Sequence, residues 1–486
     1  MKQRETWGTH IGMILAMIGT EVGLGNIWRF PYLCGKYGGS AFLIPYLILL
    51  FAVAIFAVMC EWTLGRFTRR NPLGAFETIK FPQGTKVGVW GIIGPFFLYA
   101  YYIVVSSWVL FYAFASLGRA YFKADAEAFF VNFLSSPAIF LVHIVCVAIC
   151  SAIIGLGVRK GIEKASKFMI STLFILLLIV VLRAITLPGA SKGFEFYMHP
   201  RWQEMWNLEA WSAALGQIFF TLSLGMGAML IYGSYLKDKI GIPKNALACA
   251  LGNTSVSLLA GFALFPATFA LGMEEVVHKE SIGLTFIVLP KLFVRMPLGW
   301  FFGFLFFLLL LFGALSSAVS IQEPSVAWLI EERKWSRKKA ALFTGIILWL
   351  LGLPFILNGW AKGGLGTKLS LLAKMDTIIG QLALPLFSLL AVIAVGWVMK
   401  NGFGEINKNA RYKLPLFFKH WIRLGVPLFI SFLFISTLAK SIKEIFGFSV
   451  SESTLLMTFI VCLIIWGGFA FLTRMALRVE KEKEML

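Results

Sequence analysis

The sequence predicts an all-α polytopic membrane protein, and three observations predict it. Of its 486 residues, 59% are hydrophobic and 14% charged, against roughly 45–50% and about 25% in soluble domains. That leaves too little charge for a water-facing surface. Twelve apolar stretches approach or exceed the ~20 residues a helix needs to cross a ~30 Å hydrocarbon core. The net charge of +20 is concentrated in alternate connecting segments. Disorder, a disulfide scaffold and a collagen-like fibre are excluded by the same composition.

The spans run over approximately 10–34, 40–66, 88–121, 138–157, 164–187, 208–236, 243–272, 298–331, 339–358, 370–399, 422–439 and 453–476. A further apolar stretch, 282–293, contains Pro290 and is too short to cross, so it reads as a helix in an outer loop. An even number of spans places both termini on one side. With that side cytoplasmic, the inner segments hold 29 of the 44 Lys and Arg, as the positive-inside rule requires. The basic excess is therefore an orientation signal in a multi-pass plasma-membrane protein, and no nucleic-acid partner is expected. The bilayer is the partner. The short polar N-terminus, 1–9, does not resemble a cleavable signal peptide. Cys34, Cys60, Cys146, Cys150, Cys249 and Cys462 lie in or at the ends of apolar segments, so no structural disulfide is expected. His10, His143, His199, His278 and His420 lack ligand spacing, which argues against a zinc site. No nucleophile–base pair points to an enzyme.

Spans 1 and 6 differ from the rest. Span 1 contains Gly23-Leu24-Gly25 and span 6 contains Gly225-Met226-Gly227, each at membrane depth and flanked by polar residues. Glycine costs about 1 kcal/mol in a helix, and unsatisfied backbone in lipid costs several kcal/mol per group. Close helix packing explains one such motif. Two, five spans apart and beside Glu21, Asn26, Arg29, Thr221 and Ser223, fit paired discontinuous helices around a midplane site better.

These residues resemble the neurotransmitter:sodium symporter family in its LeuT-like, prokaryotic form. The resemblance is carried by Gly23 to Tyr32, Gly38 to Tyr46, Gln217 to Gly227, and Gly313 to Ser317 leading to Glu323-Pro324. It implies a single transmembrane domain over 1–485. Two inverted five-helix repeats would occupy 10–187 and 208–399, helices 1 and 6 would be unwound mid-membrane, and helices 11 and 12 would be added at 422–476.

The resemblance also implies a site. One sodium ion, site 2 of the family, would take the carbonyls of Gly19, Val22 and Gly313 and the hydroxyls of Ser316 and Ser317, oxygen ligands that suit a hard cation. The other, site 1, would use the carbonyl of Glu21 with Asn26, Thr221 and Asn253. Chloride would be held by Tyr46, Gln217, Thr221, Asn253 and Ser257. The substrate pocket would be Thr20, Glu21, Leu24, Gly25, Leu98, Tyr102, Phe220, Ser223, Met226, Ser317 and Ile321. A substrate carboxylate would meet the amides of Leu24 and Gly25 at a half-helix N-terminus. Arg29 and Asp376 match an outer gate, with Phe220 as its lid. Arg4 and Glu331 match an inner gate, supported by Trp7, Ser234 and Tyr235.

One residue departs from the pattern. The family has a small or apolar residue where Glu21 stands. Three readings of Glu21 stay open: contact with a substrate amine, a proton-linked role favoured by desolvation, or a local structural hydrogen bond. Gly23, where monoamine carriers have an acid, points to a substrate that brings its own carboxylate. The expected function is sodium-coupled, chloride-assisted symport of an amino acid or related amine. The alternatives are a proton-influenced amine carrier using Glu21 and a membrane receptor or channel without coupled transport. Monomer and homodimer stay equally open.

Overall fold

The computed structural model describes residues 4–199, 202–273, 284–361, 370–446 and 460–462. Among them nine helices are long and apolar enough to cross a membrane, or ten if one bent pair counts as a single span. The pair is span 1, His10–Glu21 and Gly25–Lys36, bent by 56° at the break. Span 6 appears as Leu208–Thr221 and Ala228–Ser234, two pieces each too short to cross alone. Of the expected span 12, only the helical residues 460–462 lie among those described. The segment with Pro290 is helical over Leu284–Val288 and Leu289–Arg295.

Local chemistry sets the helix ends. Thr9 opens span 1 by accepting from the Gly12 amide, and Asn207 opens span 6 by accepting from the amides of Glu209 and Ala210. Both satisfy donors that a helix N-terminus leaves bare. Span 1 stops where Val22 turns extended, its N–H still bonded to the Ile18 carbonyl, and resumes as a wide π turn over Gly25–Arg29. In span 6, Ser223 and Gly225 both have positive φ, 52° and 77°. A Cβ on Gly225 would lie 1.9 Å from the Leu384 carbonyl of span 10, so the backbones approach too closely there for any side chain.

Burial sorts the spans into centre and periphery. Span 8, Gly299–Glu332, is 83% buried over its most apolar window, against 33% for span 4, Ala138–Gly155, and 39% for span 9, Arg337–Asn358. Spans 4, 5 and 9 carry the exposed rows Leu141, Ile144 and Ile149; Phe168, Ile175 and Leu182; Leu342, Ile346 and Leu350. Such rows suit acyl chains. Span 8 packs chiefly on span 3, Gly84–Leu117, and span 4 on span 9. The second half of span 6 packs on span 2, Ser40–Thr68. The two broken helices are thus enclosed by continuous ones.

Candidate functional site

Carbonyl oxygens converge where span 1 breaks. The Ser317 hydroxyl lies 3.4, 3.2 and 3.1 Å from the carbonyl oxygens of Gly19, Thr20 and Val22. Ser316 donates to the Gly313 carbonyl at 2.9 Å, which is capping within its own helix. Gly313 nevertheless abuts the break, since a Cβ there would stand 3.5 Å from the Val22 oxygen. All five residues expected at sodium site 2 therefore meet in one place. The Ser223 hydroxyl, from the break in span 6, donates to the Thr20 carbonyl at 2.7 Å. Among the described residues no group of three or more His, Cys, Asp or Glu is placed to hold a metal ion.

A second polar cluster lies on span 7, Ile242–Ala270. The Asn26 amide donates to the Asn253 side-chain oxygen at 2.6 Å and to the Ser257 hydroxyl at 2.9 Å, while its own oxygen accepts from the Gly23 amide at 3.0 Å. Gln217 donates to the Gly25 carbonyl at 2.7 Å, tying span 6 to span 1. The Thr221 hydroxyl bonds back to the carbonyl of Gln217 at 3.0 Å. The Tyr46 hydroxyl faces Thr221, Thr254 and Ser257, yet it and the Asn253 side-chain N–H2 have no hydrogen-bond acceptor. Two unsatisfied donors in a buried cluster are costly unless an anion takes them, so the donor set fits chloride.

Beside these clusters is a cavity of about 230 Å³, lined by Leu24, Gly25, Trp28, Tyr102, Val105 and Phe220 among others, with Arg29 and Asp376 as its two charged residues. The Tyr102 hydroxyl is 3.5 Å from the Leu24 amide. A Cβ on Gly23 would lie 2.6 Å from that hydroxyl and 2.7 Å from the Ser317 hydroxyl, so a larger residue would have to displace both hydroxyls. Leu24, Gly25, Tyr102 and Phe220 of the expected substrate pocket line the cavity; Thr20, Glu21, Leu98, Ser223, Met226, Ser317 and Ile321 do not, and all seven are buried.

The two residues expected at the outer gate are found unpaired. Arg29 and Asp376 share the cavity but are not joined: the Arg29 guanidinium lies over the Phe220 ring at 5.2 Å, and Asp376 accepts from Tyr101 at 3.1 Å and Gln381 at 3.0 Å. At the opposite end Arg4 and Glu331 form an ion pair. Arg4 also reaches Ser234 at 2.6 Å and lies over the Tyr235 ring at 4.9 Å, while Trp7 donates to the Tyr232 carbonyl at 3.2 Å.

Of the three readings of Glu21, the local hydrogen bond is not made: the residue is buried and both carboxylate oxygens lack hydrogen-bond partners.

Sequence reasoning missed three groups. Asn71 donates to Glu331 twice, at 2.9 and 2.8 Å. Glu323 accepts from Tyr235 at 2.6 Å and from Arg337 at 2.9 and 3.0 Å. Glu61 accepts the Gly225 amide at 2.8 Å, holding the break in span 6. Carboxylates inside spans 2 and 8 were the available signal, since intramembrane charge is rarely idle.

The family model described as sodium:neurotransmitter symporter family matches residues 4–131 and 119–474. A sodium-dependent transporter of Methanocaldococcus jannaschii is 35% identical over 454 residues, covering 88% of this chain and 89% of that protein. The sodium- and chloride-dependent taurine transporter of Rattus norvegicus is 30% identical over 414 residues, covering 74% of this chain and 66% of its own. Among solved structures, MhsT in complex with L-phenylalanine aligns with a TM-score of 0.80 at 35% identity, covering 90% of this chain and 100% of that one. The all-helical LeuT-like architecture is common to both.

Proposed function

The chain belongs to the sodium:neurotransmitter symporter family, a family of multi-pass membrane transporters and not of enzymes, and from that premise we propose that it moves an amino acid or related amine with sodium, assisted by chloride, by alternating access. The observation that carries this reading is the meeting of the Gly19, Thr20 and Val22 carbonyls on the Ser317 hydroxyl at 3.1–3.4 Å. Helix breakage bares these oxygens at membrane depth, and hard cations bind oxygen. The sodium ions are cargo, taken at this site and at the Asn26–Asn253 cluster.

Substrate would enter the cavity beside the breaks, whose volume suits an amino-acid-sized solute. Its carboxylate would meet the amides of Leu24 and Gly25, where a helix start favours an anion, and Tyr102. Gly23 brings no charge of its own, so the substrate supplies it. The phenylalanine of MhsT and the taurine of the rat protein are both zwitterions of this size class. Chloride would accept from Tyr46 and Asn253. Contacts between spans 2 and 7, 3 and 8, and 4 and 9 support two repeats offset by five helices. The charge asymmetry supports cytoplasmic termini in the plasma membrane, so that the Arg29 end faces outward.

Uptake into proteoliposomes tests the proposal, with labelled L-phenylalanine, taurine and a wider amino-acid panel. Replacing sodium should abolish accumulation of the accepted substrate, and replacing chloride should lower its rate. Sodium-independent uptake of every substrate would overturn symport, and an unchanged rate without chloride would remove the anion site.

A further inference from the structure

The segment between spans 10 and 11, residues 408–423, holds five Lys and Arg and no Asp or Glu. Two of the five are engaged: Lys408 lies 3.7 Å from Glu405, and Arg423 donates to the Gly396 carbonyl at 2.7 Å. Among the described residues no carboxylate pairs with Arg411, Lys413 or Lys419. Elsewhere on this side carboxylates are interleaved with the bases, as in Arg4–Glu331, Arg70–Glu332 and Arg337–Glu5.

Apolar side chains share the segment and face outward. Tyr412, Leu416 and Phe417 are 65%, 66% and 65% exposed, whereas Phe418 turns inward and stacks on Phe56 of span 2 at 4.9 Å. Span 11 begins at Phe417. Leu416 and Phe417 therefore stand at the rim of the hydrocarbon, with Arg411, Tyr412 and Lys413 just outside it, where basic and amphipathic aromatic side chains settle. Lys419 is long enough to reach the same layer from the first turn of the helix. The segment is also held in place. Asn407 accepts the Leu414 amide at 2.7 Å, Asn409 donates to the Asp238 carbonyl at 2.7 Å, and the buried Arg66 of span 2 pairs with Glu405 at 3.0 Å. Orienting a protein in the bilayer needs basic residues alone; it does not call for exposed Leu and Phe set between them.

We propose that this segment binds the headgroups of anionic phospholipids in the leaflet on the Arg4 side. Arg411, Lys413 and Lys419 meet the phosphates, and Leu416 and Phe417 lie among the acyl chains. Unpaired juxtamembrane bases gain from an anionic leaflet, and the planar guanidinium of Arg411 suits phosphate oxygens. Because the segment is bonded to span 2 and to the turn after span 6, lipid bound there stabilises the fold, and the melting temperature reads it.

The test uses the purified full chain in a non-ionic detergent, titrated with dioleoyl phosphatidylglycerol or dioleoyl phosphatidylcholine. Half-saturating phosphatidylglycerol should lie about tenfold or more below half-saturating phosphatidylcholine, and neutralising all three bases (Arg411→Gln, Lys413→Gln, Lys419→Gln) should erase that difference. Lys413→Gln alone should reduce it by about fivefold. Neutralising the exposed Lys334, Lys338 and Lys339 between spans 8 and 9 should leave it in place, and free glycerol phosphate should give no shift. A wild type without the preference, a preference that survives the triple variant, an equal loss in the Lys334, Lys338 and Lys339 variant, or an equal response to glycerol phosphate would overturn the proposal. Each of these leaves symport standing, because neither substrate nor a sodium gradient is used.

Discussion

The two ends of the molecule are built from similar parts and stand in opposite states. At the Arg4 end, Glu331 holds Arg4 and both donors of Asn71. Beside it, Glu323 holds Tyr235 and Arg337, and Arg337 also reaches Glu5 at 3.1 Å. At the Arg29 end the two charges line a cavity and each keeps a separate partner, Phe220 for one and Tyr101 for the other. The contrast is between a network of bonded carboxylates at one end and two unjoined charges facing a cavity at the other. It also shows that the two gates differ in kind: one is a network of several carboxylate bonds, the other a single pair waiting to form. Such pairs hydrate in one state and close in the other.

Breaking the sealed end should have the largest effect. Glu331→Ala removes the ion-pair partner of Arg4 and the acceptor of the Asn71 backbone amide, leaving the Asn71 side chain with Glu332 at 3.2 Å. We expect labelling of a cysteine at Val105 from the Arg4 side to rise by about tenfold or more, the shift that losing about 1.4 kcal/mol produces, with sodium-driven uptake falling in proportion. Glu323→Gln should act in the same direction and less, roughly threefold to tenfold by the same measurement, because Arg337 keeps Glu5.

Asp376→Asn sharpens the contrast from the other side. It should leave labelling in sodium unchanged, since Arg29 and Asp376 are apart in this state. Maximal uptake should fall by about twofold to fivefold, as expected for a pair worth ~0–1 kcal/mol that forms only on closure. Arg70→Ala is the smallest. Arg70 pairs with Glu332 at 3.1 Å with both side chains substantially exposed, so uptake and melting temperature should move little, within about 0.5 kcal/mol.

Much of this was legible in the sequence because membrane constraints are strict. Apolar length marks the spans, and two Gly-x-Gly motifs at membrane depth mark the breaks, now bounded by Glu21 and Gly25 in span 1 and Thr221 and Ala228 in span 6. Boundaries shifted where turns intervene: span 3 begins at Gly84, behind Gln83 with φ of 52°, and not at 88. The direction of Glu21 was unreadable because helical periodicity stops at that residue. The Glu61–Gly225 and Glu323–Arg337 bonds were missed for another reason. They join elements far apart in sequence or across a loop, and no spacing rule relates their positions. The Arg29–Asp376 pairing came from the resemblance alone, and here the two side chains share a cavity without meeting.

The cavity at the Arg29 end and the bonded network at the Arg4 end predict that Val105 is reached from one side of the membrane only. Membrane-impermeant maleimide on a Val105→Cys variant in sealed, right-side-out vesicles tests it most directly, with inside-out vesicles as the counterpart and the wild type, whose native cysteines are Cys34, Cys60, Cys146, Cys150, Cys249 and Cys462, as control. In sodium without substrate, labelling should occur from the outside only and should fall when an accepted substrate closes the cavity. Equal labelling from both sides, or labelling from the cytoplasmic side alone, would contradict it.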